Sequence, residues 1–219
     1  MIKYLSESQQ KALLDAAKSR RDPLAQRDYH WMGLMLSTGA RVTEFSLWTL
    51  TQAEAALATG WLVSTPDQRK GKKKAHEYLV TETVRLHLQA LIMISRQEQT
   101  PALGEEAPLI WGREGQPLAV RSYQSRLKLW VKEAGLDPRF TVHSLRHSRA
   151  MNIMRRSRGA SPLKTTQRAL GHTSLASTGM YTDCAREEYA QELRQVDGRR
   201  MPKAQARSLA MQQQAGGRQ

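Results

Sequence analysis

The chain has 219 residues, and its 34 lysines and arginines against 20 acidic residues give a formal net charge of +14 at pH 7. Its share of hydrophobic residues, 40%, is typical of a folded globular protein, and its single cysteine excludes an internal disulfide framework or a cysteine-rich zinc site. The sequence contains no apolar run long enough for a membrane span and no signal-peptide pattern, so we expect a cytoplasmic protein. The positive charge favours a polyanionic partner, and nucleic acid is the first to consider.

Helix signals dominate the chain. Ser6 with Gln9 three residues later has the form of a capping box. Pro23 after Asp22 suits the first turn of a second helix, which Gly39 can end. Periodic apolar residues predict helices over 6–20, 23–38, 41–48, 82–96, 120–134, 141–156, 163–170, 175–180 and 186–196.

Strand signals are fewer and shorter. Residues 61–63 and 77–80 predict a hairpin whose tip carries the basic run RKGKKK, and residues 109–111 predict a short third strand. The predicted fold class is therefore α+β, mostly α-helical with a small three-stranded antiparallel sheet. Residues 197–219 hold five cations and one acid among many Gln and Gly residues, so we expect a basic, disordered tail there.

Common catalytic motifs are missing from the sequence. His143 and His147 are four residues apart, but Ser144 follows His143, so the pair does not form the H-E-x-x-H zinc motif. The sequence also lacks a phosphate-binding G-x-x-x-x-G-K-[ST] loop and a G-x-S-x-G nucleophile turn. We therefore expect no metal site and no cofactor, and any phosphate chemistry must rely on cationic side chains.

Two pairs of residues could serve such chemistry. His143 and Arg146 are three residues apart near the start of a predicted helix, so they share one face where the backbone favours anions. Arginine can bind phosphate oxygens with two hydrogen bonds, and histidine can exchange a proton near neutral pH. Arg41 has Glu44 three residues later, which fits either an ordinary helical ion pair or a phosphate-binding guanidinium held by a carboxylate. Each pair alone is more often an ordinary surface feature.

The C-terminal third contains a further pair. Leu170-Gly171-His172 precedes Met180-Tyr181-Thr182 by a short polar stretch. The phenol of a tyrosine is a poor nucleophile at its usual pKa of about 10. Beside arginines and a phosphate it could attack the phosphorus and form a covalent phosphotyrosine, although a lone tyrosine is usually a packing residue.

Together these segments resemble a known family. TGARVTE, HSLRHS, ALGHTS and MYTD, in this order and with a basic hairpin between the first two, resemble the catalytic boxes of the tyrosine recombinases, the phage integrase family. The resemblance extends over about residues 5–196. Each box is weak alone, but four in order are specific.

The resemblance implies a set of site residues. At matching positions, the family's catalytic residues correspond to Arg41, Lys70, His143, Arg146, His172 and Tyr181, with Glu44 as the supporting acid. The other cations of the hairpin, which we expect to bind DNA, are Arg69, Lys72, Lys73 and Lys74. The three lysines among them are also rivals of Lys70 for the role of general acid.

The resemblance also implies an activity and partners. It implies cleavage and rejoining of double-stranded DNA through a 3′-phosphotyrosyl intermediate without a cofactor, in a homo-oligomer, a tetramer on DNA, joined through the helix at 186–196. Because only 40 residues precede Arg41, we expect one catalytic domain over 1–196 and no separate N-terminal core-binding domain. Two alternatives stay open: a type IB topoisomerase-like nicking-closing enzyme, and a DNA-binding accessory protein without catalytic activity.

Overall fold

The computed structural model describes residues 3–69, 74–98, 107–112, 115–157, 159 and 161–171. All of them belong to one compact unit, Met1–Tyr181. The helices predicted over 175–180 and 186–196 and the tail predicted over 197–219 lie outside the described residues.

The described part of the chain is mostly helical. Its helices are α1 (Glu7–Lys18), α2 (Pro23–Thr38), α3 (Val42–Phe45), α4 (Leu50–Thr59), α5 (Glu82–Glu98), α6 (Val120–Glu133), α7 (Val142–Arg156) and α8 (Pro162–Leu170). The predicted caps are confirmed: Ser6 and Gln9 form a reciprocal capping box at α1, and the Asp22 side chain accepts a hydrogen bond from the backbone of Ala25 at the start of α2. Gly39 ends α2 with a φ of 70°, a left-handed conformation that suits glycine.

Helix α4 was not predicted from the sequence. It begins with a capping box between Thr49 and Gln52, and it buries only Leu50, Ala53 and Ala56. A helix whose buried face is mainly alanine lacks the spaced large apolar residues that predicted the other helices.

The sheet has two strands among the described residues, so the prediction of a third strand is wrong there. Strand β1 (Trp61–Ser64) pairs antiparallel with strand β2 (His76–Leu79), with Trp61 opposite Leu79. The segment predicted as the third strand makes only two isolated bridges, Thr49 with Pro108 and Trp111 with Pro117. Each bridge is flanked by two backbone hydrogen bonds but is limited to one residue pair, so neither forms a strand. The fold is α+β, as predicted.

Helix α2 lies in the core. Trp31, Met32 and Leu34 are fully buried, and α2 contacts α1, α5 and α7. The carboxylate of Asp28, also fully buried, accepts hydrogen bonds from the indole N–H groups of Trp31 (2.9 Å) and Trp130 (2.8 Å). Since Trp130 belongs to α6, this polar group fixes α6 against α2 inside the core.

The fold brings four chain segments to one place. The C-terminal end of α2 leads through Gly39 into α3, and α7 packs against both α2 and α8. Strand β2 reaches the same region through contacts of its side chains with α3 and α8. Among the described residues, no helix is long and apolar enough to cross a membrane.

Candidate active site

The site is built around the buried carboxylate of Glu44. Arg41 is the N-cap residue of α3, and its Nη1 donates to Glu44 Oε1 at 2.8 Å, so the ion pair predicted from the spacing is present. The Arg41 side chain keeps 28% of its surface exposed, whereas that of Glu44 has none. The carboxylate therefore lies behind the guanidinium and leaves part of it open to solvent.

Two further side chains approach the same carboxylate. The hydroxyl of Tyr78, on β2, donates to Glu44 Oε2 at 2.6 Å, and Arg69 Nε lies 3.5 Å from Glu44 Oε1. Burial by itself raises the pKa of Glu44, but the hydrogen bonds from Tyr78 and Arg41 outweigh it and hold that pKa below its ordinary value. Glu44 is therefore an ionised carboxylate at neutral pH.

Arg146 is buried and held by backbone carbonyl groups. Its Nη1 donates to the carbonyl oxygen of Gly39 at 2.6 Å, and its Nη2 donates to that of Leu170 at 2.8 Å. These carbonyls are at the C-terminal ends of α2 and α8, where the helix dipole favours a cation. From α7, Arg146 thus joins the ends of two helices, next to the segment that carries Arg41.

His143 is exposed and lies one turn before Arg146, near the N-terminal end of α7. Partial desolvation lowers its pKa, and the positive charges of Arg146 and Arg41 lower it further. The His147 ring packs edge-to-face against it with centroids 5.5 Å apart, and burial, then His143 and Arg146, lowers the pKa of His147 to about 4. Both imidazoles are therefore mainly neutral at pH 7, and His143 can accept a proton there.

The hairpin cations differ in orientation. The Lys74 side chain is exposed, as a DNA-binding residue requires. Arg69 instead turns inward: its side chain is 12% exposed, and it donates to the carbonyl oxygens of Lys74 (2.7 Å) and Gly171 (3.2 Å).

The structure thus brings together part of the predicted set, namely Arg41, Glu44, His143 and Arg146. The predicted residues outside the described part of the chain are Lys70, Lys72, Lys73, His172 and Tyr181. Two of these adjoin described residues of the site in the sequence, because Lys70 follows Arg69 and His172 follows Gly171.

The sequence interpretation missed the contributions of Tyr78 and His76 from β2. Tyr78 bonds Glu44, and His76 Nε2 donates to the carbonyl oxygen of Ala169 at 3.1 Å. The alternation of a strand gives one available signal: 76, 78 and 80 share a face, and a tyrosine on an inner face needs a partner for its hydroxyl. The sequence did not indicate that this partner is Glu44, since 34 residues separate it from Tyr78.

The described residues contain no group of three or more His, Cys, Asp or Glu side chains that could hold a metal ion. Among the described residues, the positive charges of the site are those of Arg41, Arg69 and Arg146. An arrangement of this kind can bind an anionic group with several charge-assisted hydrogen bonds.

Comparison with known proteins identifies the family. The sequence profile described as "Phage integrase family" matches residues 3–188, which is most of the chain. This chain belongs to the phage integrase family. The tyrosine recombinase XerC of Alcanivorax borkumensis is 33% identical over 205 residues, and the alignment covers 94% of this chain and 62% of that protein. The tyrosine recombinase XerD of Xanthomonas campestris is 34% identical over 195 residues, with 84% and 56% covered.

Similar solved structures support the same fold for this family member. The crystal structure of XerA recombinase superposes with a TM-score of 0.69 at 22% identity, covering 92% of this chain and 66% of that one. A XerH site-specific recombinase bound to its palindromic difH substrate in a post-cleavage complex gives a TM-score of 0.67 at 18% identity, covering 88% and 53%. The chain spans 49% to 62% of the length of these and similar curated relatives.

Proposed function

We propose that this chain is the catalytic part of a site-specific DNA recombinase, which cleaves and rejoins double-stranded DNA through a 3′-phosphotyrosyl bond to Tyr181. Membership of the phage integrase family supports the proposal, and so do relatives named tyrosine recombinase. The observation that carries it is the placement of Arg41 and Arg146, two guanidinium groups held by internal partners beside His143.

Cationic groups held in fixed positions can stabilise the negative charge that develops on the phosphate oxygens during phosphoryl transfer. In the proposed reaction Arg41 and Arg146 bind the nonbridging oxygens of the scissile phosphate and stabilise the charge of the transition state. Their partners, Glu44 for Arg41 and two helix-end carbonyls for Arg146, orient the guanidinium groups before DNA arrives. Loss of one preorganised donor of this kind typically costs a factor of about 10²–10³ in rate.

The proton transfers fall to the remaining residues. The Tyr181 oxygen attacks the phosphorus and gives its proton to His143, whose lowered pKa keeps it neutral at pH 7. The bond from phosphorus to the 5′-oxygen breaks, and Lys70 protonates that oxygen, while His172 donates a hydrogen bond to a phosphate oxygen. The phosphodiester energy stays in the covalent bond, so the 5′-hydroxyl of another strand can reverse the step without ATP or a metal.

The proposed partners are double-stranded DNA and further copies of the chain. DNA would lie over the exposed part of Arg41, with Lys72, Lys73 and Lys74 of the hairpin on its phosphates. We propose a tetramer on DNA, in which the segment 186–196 of each copy docks on a neighbour, acting in the cytoplasm where bacterial DNA is found.

A trapped intermediate tests the proposal. Nicked duplexes that carry DNA from both sides of the gene release a short fragment after cleavage, so the adduct accumulates and survives denaturation. The parent chain should form the adduct, and Tyr181→Phe should form none while its DNA affinity stays within about twofold. Tyr4→Phe, which removes a hydroxyl at the surface, serves as the control.

Three outcomes would contradict the proposal. An adduct formed by Tyr181→Phe would show that another residue is the nucleophile. DNA binding without an adduct in the parent would indicate an accessory protein. Relaxation of supercoiled DNA without exchange between two sites would indicate a nicking-closing enzyme.

A further inference from the structure

The C-terminal end of helix α8 is held by three side chains from three other elements. Its last carbonyl groups accept hydrogen bonds in sequence: Ala169 from His76 on β2, Leu170 from Arg146 on α7, and Gly171 from Arg69 before the hairpin tip. Free carbonyls at a helix end need such partners, and the negative end of the helix dipole favours cationic donors.

Gly171 makes this convergence possible. It has a φ of 63°, and a Cβ built on it would lie 2.8 Å from Arg69 Nη2 and 2.9 Å from His76 Nδ1. Any larger residue would displace these two side chains and also strain the backbone. The chain therefore admits the Arg69 guanidinium directly against the backbone that ends α8.

Arg69 contacts three parts of the site at once. Its Nε is 3.5 Å from the carboxylate of Glu44, its Nη1 donates to the carbonyl of Lys74 across the hairpin, and its Nη2 donates to the carbonyl of Gly171. The three contacts leave its side chain 12% exposed. All three of its nitrogen atoms thus face oxygen atoms of the protein, whereas the Lys74 side chain is exposed to solvent.

We propose that Arg69 is a positioning residue, which joins the segment between β1 and β2 and the end of α8 to the carboxylate that orients Arg41. The inference rests on the proposed recombinase function, because Lys70 and His172 directly follow Arg69 and Gly171 in the sequence. Fixing these two backbone points limits where the general acid and the hydrogen-bond donor can lie relative to the scissile phosphate. A displacement of about 1 Å in such a group can cost roughly 10²-fold in rate.

The experiment compares Arg69→Ala and Arg69→Lys with Arg96→Ala, a control that removes a guanidinium from an exposed ion pair on α5. A lysine keeps the charge, but its single nitrogen cannot bridge two carbonyls and a carboxylate. The measurements are the adduct rate at saturating DNA, the dissociation constant and its salt dependence, and the hydrogen exchange of peptides from 162–171 in the free protein.

We expect both Arg69 variants to lose roughly 10²-fold in the saturated rate, to bind DNA within about twofold of the parent, and to exchange faster at the end of α8. Arg96→Ala should match the parent in all three. A phosphate-binding role would give the reverse: weaker binding with a salt slope smaller by about 0.9, an unchanged saturated rate, and recovery by lysine, and this would overturn the proposal. If the parent forms no adduct, the recombinase function fails, and unchanged exchange in the Arg69 variants would separately refute the role of Arg69 at α8.

Discussion

The hydroxyl of Tyr78 offers a direct test of how Glu44 is kept ionised inside the protein. Tyr78→Phe removes the 2.6 Å hydrogen bond to the carboxylate and keeps the ring packing. A hydrogen bond to a charged group contributes about 1.5–3 kcal/mol to stability. For a chain of this size, 1 kcal/mol corresponds to about 2–4 °C in Tm, so the variant should unfold roughly 3–12 °C lower.

The same substitution should have a defined dependence on pH. The pKa of Glu44 in the folded protein is below its ordinary value of 4.5, so its contribution to stability is full above pH 4.5 and is lost as the pH falls through the folded pKa. Without Tyr78 the effect of burial is less opposed, and the pKa of Glu44 rises. The stability difference between the parent and the variant should therefore be largest near pH 7 and shrink below pH 4.5.

Urea unfolding of both proteins from pH 7 down to pH 4 measures this difference. The matched control is Tyr4→Phe, which removes a hydroxyl bonded to Arg155 at an exposed position and should change stability by less than about 0.5 kcal/mol. The reasoning is refuted if Tyr78→Phe is as stable as the control at pH 7, or if the difference grows as the pH falls.

Three other predictions concern the proton donor, metals and acid stability. Lys70→Ala should slow cleavage strongly but matter little when sulfur replaces the leaving 5′-oxygen, because a thiolate departs without a proton; sulfur rescue of an alanine variant at 72–74 instead would place the general acid there. Cleavage rates should be equal with and without excess EDTA, since arginines supply the charge; activity that returns only with added Mg²⁺ or Zn²⁺ would contradict this. Burial, then His30, lowers the pKa of His87 to about 4. The stability that depends on a neutral His87 should therefore be complete above pH 6.5 and be lost as the pH falls toward 4, because the unfolded chain takes up the proton more readily. The fall should be shallower in His87→Gln, and an equal fall in urea midpoint for both proteins would count against this assignment.

Local signals in the sequence predicted most of the helical architecture. The capping box at Ser6, the Asp22-Pro23 start of α2 and the cap at Gly39 all depend on residues within one turn of each other, and all are confirmed. The two errors, the missed helix α4 and the third strand that the structure lacks among the described residues, both arose where the local signal was weak or ambiguous. An alanine-rich face carries little apolar periodicity, and the apolar run at 109–111 gives no information on whether a partner strand is available.

In the candidate site too, contacts between residues close in sequence could be predicted, and contacts between distant segments could not. The pair of Arg41 and Glu44 is three residues apart, so its spacing alone predicted the contact. Tyr78 reaches Glu44 only because the hairpin packs beside α3, and the bonds of Arg146 end on backbone carbonyls, which have no residue-type signal. The inward turn of Arg69 was hidden for another reason: a basic run at a hairpin tip looks uniform in sequence, although its first member faces the interior and Lys74 faces solvent.

Because Glu44 is buried, its carboxylate can orient Arg41 without repelling the phosphate that we propose binds at this site. An exposed carboxylate beside Arg41 would compete with the phosphate for the same donors and repel it. Glu44 is fully buried, where Arg41 and Arg69 balance its charge and Tyr78 donates a hydrogen bond to it, while Arg41 keeps 28% of its side chain exposed. The carboxylate thus uses one edge of the guanidinium for orientation and leaves the rest of it to the ligand. This division accounts for an acid inside a strongly cationic site, and it agrees with our proposal that Arg69, which shares that carboxylate, supports the site and does not bind DNA phosphates.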